Sequence, residues 1–294
     1  MADMEQIIDE ATYWASLVKT HGTKTLWQAW AQGLIKVDRK ARPRVAWPRD
    51  QFDPAAIAAA ANHGVISCGT ALRRYGVSNA TDGMMYHVAV WEGNRRVHRP
   101  LNLMVKTHRI LHAHPVGNPI TPAFATAQAI VCPQCEMDFK DKVALVDEVL
   151  NKGLATKAEI RKAGNVLRSK RQASLIATVL ARSNGRARSK LETMTRLDLE
   201  DDGRFLVDAG VNVPDVGEVD LVVTGLRTRK RCVVELDGWK WHSGKAEFKK
   251  DRERSRALLL HHHVNTLRFT WEDAKDGGKL VSEVAALLCS DHLL

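Results

Sequence analysis

Two apolar, β-branched runs, GEVDLVVTG (Gly217–Gly225) and RCVVELDG (Arg231–Gly238), are separated only by LRTRK. So short a polar break between two β-runs predicts a hairpin. Its interior is mostly valine and leucine, yet Asp220 stands inside the first run, and Glu235 and Asp237 end the second. Burying a carboxylate without a partner costs several kcal/mol or more. Two carboxylates side by side also resist joint ionisation. A divalent cation removes both difficulties, and Mg²⁺ is a cation that takes one or two carboxylates while keeping waters and substrate phosphates. The alternative is plainer: such acids face solvent or pair with nearby bases, here Arg227, Arg229, Lys230 and Arg231.

The flanks of the hairpin extend the pattern. SKLETMTRLDLEDDG predicts a helix, with Ser189 and Glu192 in capping-box spacing. RFLVDAGVNVP predicts a first strand, KAEFKKDRERSRALLLHHH a helix, VNTLRFT a strand, and the segment from about Gly278 a closing helix. The order over residues 186–294 is therefore α-β-β-β-α-β-α. In the second of these helices, Arg252 and Arg254 are candidate phosphate contacts; the alternative is a salt-bridged surface. The internal His261–His263 run predicts a helix end, where a cationic imidazole suits the dipole.

The formal charge is +10, and it is unevenly placed. From Arg186 onward bases and acids balance at 19 each, so the excess belongs to residues 1–185. KVDRKARPR concentrates five bases, Lys36, Arg39, Lys40, Arg42 and Arg44, around a single acid. Such a footprint points to a polyanion, most simply duplex DNA held through its phosphates; the alternative is a solvated basic face. Upstream, MEQIIDEATYWASLVKTHG predicts a helix stopped by Gly22. TKTLWQAWAQG predicts a second, capped by Thr23 or Thr25, and short β-runs flank the basic stretch. Helix, turn, helix and basic hairpin over residues 1–48 is the order of a winged helix, although a helical cap with a basic loop has the same order.

Residues 49–185 predict a mixed α/β and helical middle region. Asp53 and Pro54 open one helix, Ser67 or Thr70 caps another, and MMYHVAVWEG, RVHRPLNLMVKTH and ILHAHPVG read as strands. Thr156 and Glu159 form a capping box. RSNGRARSK, Arg182–Lys190, is the expected linker. The whole is of the α/β (α+β) class. No apolar run approaches the ~18 residues of a membrane span. The acidic MADMEQIIDEA start is no secretory signal, and five cysteines suit reduced thiols, so a cytoplasmic protein with no membrane partner is expected. Cys132-Pro-Gln-Cys135 is a lone CxxC. A structural zinc needs about four ligands; His112 and His114 could supply them, but the spacing does not demand it, and free thiols are the alternative.

Five separated motifs share an order with a known family: Val219-Asp220-Leu221; Val234-Glu235-Leu236-Asp237-Gly238; His242; Phe248-x-x-Asp251-Arg252-x-Arg254-x-x-x-Leu258; and Leu267-Arg268-Phe269-Thr270. From Ser189 to about Ala286 the chain resembles the very-short-patch-repair-like endonucleases, a branch of the PD-(D/E)xK superfamily. The resemblance implies a restriction-endonuclease-like mixed sheet flanked by helices, and a cytoplasmic DNA-cutting enzyme of defence or repair in a bacterial or phage-infected cell. It implies Mg²⁺ or Mn²⁺ on Asp220 and Glu235, with Glu192 supporting the metal from the first helix, Asp237 and His242 lining the site and Lys240 beside the DNA. A second copy of the chain is a further candidate partner, since cutting both strands calls for two sites. The superfamily's usual lysine is replaced here by Asp237, leaving His242, Lys240 or Lys245 to carry protons. A regulator built on an inactive nuclease fold is the alternative function. More faintly, residues 53–160 resemble proteins that join an abortive-infection antitoxin-like winged helix to such a domain.

Overall fold

The computed structural model describes residues 11–40, 44–80, 84–91, 93, 96–110, 120–167, 169–237 and 245–290. The fold is mixed α/β, and the described residues form three small sheets among helices. The chain divides into two compact units. Unit 1 comprises residues 1–137 and 154–178; unit 2 comprises 138–153 and 179–294.

Unit 1 opens with strand β1 (Thr12–Tyr13), helices α1 (Trp14–His21) and α2 (Thr23–Ala31), and strands β2 (Ile35–Val37) and β3 (Val45–Pro48). The sheet order is β1-β3-β2, antiparallel throughout. The predicted first helix is thus shorter than its periodicity suggested. Thr12 and Tyr13 pair with Ala46 and Val45 instead, closing the free edge of β3. Its N-terminal part lies outside the described residues. Gly22, at φ +77°, precedes α2, and neither Thr23 nor Thr25 caps it. Trp14, Leu17, Leu26, Ala29, Ile35 and Ala46 close the small core. Each such buried large side chain contributes about 1.5–3 kcal/mol.

Next come α3 (Pro54–Ala61), β4 (Val65–Ile66), α4 (Cys68–Arg74), β5 (Met85–Trp91), β6 (Met104–Ile110) and α5 (Pro122–Val131). Asp53 caps α3 by accepting from the Ala55 and Ala56 amides. The second sheet has the order β4-β5-β6, with β5 and β6 parallel. RVHRPLNLMVKTH is only partly strand: a 3₁₀ turn at Pro100–Asn102 precedes β6. ILHAHPVG falls mostly outside the described residues.

Helix α6 (Phe139–Asn151) belongs to unit 2, whereas the sequence placed it in the middle region. Helix α7 (Lys157–Asn165), with its Thr156–Glu159 capping box, belongs to unit 1, and α8 (Lys170–Arg182) is divided between the units. What draws α6 to unit 2 is Asp147, which is 1% exposed. Its Oδ1 accepts from the Asn184 and Gly185 amides at 2.7 and 3.1 Å. Its Oδ2 accepts from the Thr193 hydroxyl at 2.9 Å and Arg196 Nη2 at 3.1 Å. The expected linker is therefore held in place rather than loose.

The rest of unit 2 follows the predicted order with one short helix, α11, added before the last: α9 (Lys190–Asp202), β7 (Phe205–Val213), β8 (Gly217–Gly225), β9 (Arg231–Asp237), α10 (Lys245–His262), β10 (Asn265–Thr270), α11 (Trp271–Lys275) and α12 (Gly277–Cys289). The sheet order is β10-β9-β8-β7. β8 and β9 form the predicted antiparallel hairpin, β7 adds antiparallel to β8, and β10 runs parallel to β9. Leu199, Leu221, Val223, Cys232, Val234, Leu280 and Val284 fill the core of this unit.

Candidate active site

The β8–β9 hairpin brings its acids together through register alone. Leu221 pairs with Val234, so one further step along the ladder sets Asp220 opposite Glu235. The Leu236 amide donates to Asp220 Oδ2 at 2.8 Å. On the other side, the β7–β8 ladder passes from the Ala209–Leu221 pair to Val211–Val219, skipping Gly210. Gly210 lies at φ +57°, and a Cβ there would stand 3.0 Å from the Arg186 carbonyl. A residue without a side chain fits both demands.

Glu192 reaches the same place from the first turn of α9. Its amide is capped by the Ser189 hydroxyl, as the spacing predicted. Its carboxylate accepts from the Arg188 amide at 2.8 Å, one residue further back than a capping box requires. Glu192, Asp220 and Glu235 are all at most 9% exposed. Arg188 Nη2 donates to Asp220 Oδ1 at 2.9 Å, and Arg254 Nη2 lies 3.2 Å from Glu235 Oε1. Arg254, expected on phosphate, therefore spends its guanidinium on Glu235 and on the Glu218 carbonyl. Its Nε is buried without a hydrogen-bond partner.

These two guanidiniums do not offset the acids. Burial, then the Asp220 charge, pushes the Glu235 carboxyl up to about 7 against the pull of Arg254 and Arg268. Burial and the Asp220 charge also raise Glu192. A site left short of positive charge and lined by carboxylate oxygens suits a hard divalent cation. Asp220 and Glu235 are the residues that could hold one, with Glu192 buried near them in the first turn of α9.

The other predicted site residues fare differently. Asp237 is exposed at the end of β9, with Arg268 Nη1 3.5 Å away. Arg252 is exposed on α10. His242 and Lys240 lie outside the described residues, as does Arg42. Lys36, Arg39 and Lys40 are exposed around the β2–β3 turn, and Arg44 is half-buried. The Arg39 guanidinium stands 5.4 Å from the Trp30 ring centre. The single acid of this stretch, Asp38, is buried and accepts from the Lys40 and Leu101 amides. Arg188 is the residue sequence reading missed. Its signal was its place four residues before Glu192.

Unit 1 holds a second polar cluster. Cys132, at the end of α5, and Cys135, in the 3₁₀ turn after it, meet Cys68 at the start of α4, His87 on β5 and His108 on β6. The Sγ atoms of Cys68 and Cys135 are 3.4 Å apart, Cys132 Sγ is 3.8 Å from His87 Nδ1, and His87 Nδ1 is 2.8 Å from His108 Nε2. Hydrogen bonds from the Cys135 and Cys68 thiols, and from both imidazoles, hold the Cys132 thiol well below its ordinary value. Burial pushes Cys68 up. His112 and His114, the histidines considered beside the CxxC, lie outside the described residues.

The chain matches no protein-family model, and no curated protein matches it. The nuclease resemblance therefore stands on the motifs themselves. Among the described residues no helix is long and apolar enough to cross a membrane.

Proposed function

We propose that the chain is a DNA-binding, divalent-metal-dependent endonuclease that hydrolyses phosphodiester bonds. One observation carries the reading: Asp220 and Glu235 are buried side by side on the β8–β9 hairpin with Glu192 of α9 buried near them, and burial and the Asp220 charge raise the Glu235 and Glu192 carboxyls. Asp220 and Glu235 would hold Mg²⁺ or Mn²⁺, which supplies an activated water and offsets charge developing on the phosphate. Asp220 is oriented for this by the Leu236 amide, and Glu192 by the Arg188 amide. Once the acids have another positive partner, Arg188 and Arg254 are free to turn their donors to phosphate oxygens. His242, Lys240 and Lys245 are the candidates to carry protons in place of the lysine that Asp237 replaces. The basic β2–β3 turn would hold duplex DNA through its phosphates.

A second reading rests on the Arg188–Asp220 and Arg254–Glu235 pairs. They are also what a nuclease fold kept as a binding scaffold would use to fill its site. Incubation of the full chain with plasmid, mismatched and modified DNAs, with Mg²⁺ or Mn²⁺, separates the two. Cleavage that disappears in Asp220→Ala and Glu235→Ala while DNA binding persists is expected. Binding with no cutting on any substrate or ion leaves the scaffold.

A further inference from the structure

The unit 1 cluster gathers five soft or borderline donors from separate segments of the chain into one buried place. Cys68 is 0% exposed, His87 3%, Cys132 6% and Cys135 1%. The donor atoms of Cys68, His87, His108 and Cys132 all lie within 4.8 Å of one another. Tetrahedral zinc, with bonds of about 2.3 Å to sulfur and about 2.0–2.1 Å to nitrogen, sets its ligand atoms roughly 3.3–3.8 Å apart. The 3.8 Å separation of Cys132 Sγ from His87 Nδ1 is of that size, and the 2.8 Å between the imidazoles needs only a small opening.

The backbone is also arranged around this spot. Cys68 has φ +51° at the head of α4, a left-handed conformation that a side chain with a Cβ rarely adopts. His87 is fixed on both backbone sides: its amide donates to the Thr70 hydroxyl at 2.9 Å, and its carbonyl accepts from the Ser67 amide at 2.9 Å. Ser67, just before Cys68, and Thr70, two residues after it, thus lock the strand that carries His87. The distance between Cys68 and Cys135 is a contact between thiols, far from the ~2.05 Å of a disulfide. Thiolate and imidazole together select zinc over the hard cations expected in unit 2.

We propose that Cys68, Cys132, His87 and His108 hold one tetrahedral Zn²⁺ ion, with Cys135 hydrogen-bonded to the ligand sulfurs from outside the coordination sphere. The two cysteines bind as thiolates, so loading releases their two protons to solvent, while the neutral imidazoles release none. Four protein ligands leave no open position, which makes the site structural. It ties the start of α4 and the end of α5 to β5 and β6. A cavity of about 320 Å³, lined in part by His108, Cys132, Lys106 and Phe124, gives metal and chelator a way in.

The test uses the full chain, purified without chelator and analysed for metal. One zinc per chain is expected, released when a mercurial reagent caps the thiols. Cys68→Ser and Cys132→Ser, each short of one thiolate ligand, should lose the zinc, while Cys135→Ser, whose hydroxyl can still donate to the ligand sulfurs, and the unit 2 control Cys289→Ser keep it. Should a variant fail to fold, cobalt exchange into the wild-type chain replaces it: the intense visible bands of tetrahedral, thiolate-bound Co²⁺ are expected. A wild-type chain that takes up neither ion after reduction and reconstitution overturns the site. So does an intact mass lower by two hydrogens, which marks a disulfide in its place. Zinc lost from Cys135→Ser and kept in His108→Ala overturns the ligand set. None of these readouts depends on DNA cleavage.

Discussion

Unit 2 buries carboxylates in two places, and the two are opposites. Asp147 has four donors for its two oxygens: two loop amides, a hydroxyl and the guanidinium of Arg196, itself only 2% exposed. Arg196 in turn serves Glu200 and the Arg182 carbonyl. That carboxylate is satisfied by the protein, and its work is to join α6, α9 and the segment after α8. Glu235 is also buried, but its neighbours include a second acid, and its carboxyl rises to about 7. Satisfaction, not burial, separates an acid that holds a fold from one kept ready for a ligand.

The largest expected effect falls on the satisfied side. Asp147→Ala removes one partner of a buried pair and leaves Arg196 charged and unmatched, at a cost of about 3–5 kcal/mol. Denaturant unfolding followed by a unit 2 signal should show a transition at much lower denaturant. Asp220→Ala, the same change at the other site, should cost less, because removing that charge relieves the neighbouring Glu235 and Glu192 carboxyls. Equal losses in the two variants would erase the distinction.

Next in size is the response to cations. A ligand that binds only the folded chain stabilises it by about 1.4–2.7 kcal/mol at 10 to 100 times its Kd. Mg²⁺ or Mn²⁺ should therefore raise the melting temperature of the wild type and leave Asp220→Asn unmoved. Asp147→Ala, though less stable, should still gain from the ion. A melting temperature indifferent to both ions would place Asp220 and Glu235 with Asp147, as structural acids.

How much of this contrast was legible in the sequence depends on how far apart the partners lie. Asp220 and Glu235 sit on consecutive strands joined by a short turn, so alternation and register suffice to place them together. The order of elements around them followed from the same periodicities. Asp147 gave no such sign, because its partners lie 37 to 49 residues further on. The unit 1 cluster was harder still. Its CxxC was visible, but His87 is one residue in an apolar strand, and only the parallel pairing of β5 with β6 brings His108 beside it. Nearness in sequence favoured His112 and His114; the fold favours residues from other segments.

A smaller effect comes from pH in the metal-free protein. Glu235 has an ordinary value of 4.5 and stands at about 7 when folded. The folded chain therefore holds this proton more tightly than the unfolded one between those values. Stability is greatest below about pH 4.5 as far as this group is concerned, and falls as pH rises towards 7. Solvent screening at the partly open site holds the change to about 1–2 kcal/mol. Glu192, also raised, adds in the same direction. Glu235→Gln should flatten this slope across pH 4.5–7, and a saturating divalent cation should do the same. Thermal melts across that range, with an unchanged slope in Glu235→Gln, would assign the dependence to another group.

The comparison extends, with its smallest effect, to charges that are not buried at all. Lys36, Arg39 and Lys40 are exposed around the β2–β3 turn, where a polyanion can reach them. Each phosphate such a residue neutralises lowers the slope of log affinity against log salt by about 0.9 on duplex DNA. Arg39 also rests on Trp30, a contact of about 0.5–1 kcal/mol that presents the guanidinium outward at little entropic cost. Arg39→Ala should therefore flatten the salt dependence of duplex binding by about one phosphate equivalent, alike for every sequence tested, with folding stability changed by less than about 1 kcal/mol. Arg39→Lys keeps the charge and loses the planar stack, so its slope should match the wild type while its affinity falls slightly. Binding whose salt slope is the same in all three proteins would remove this turn from the DNA interface.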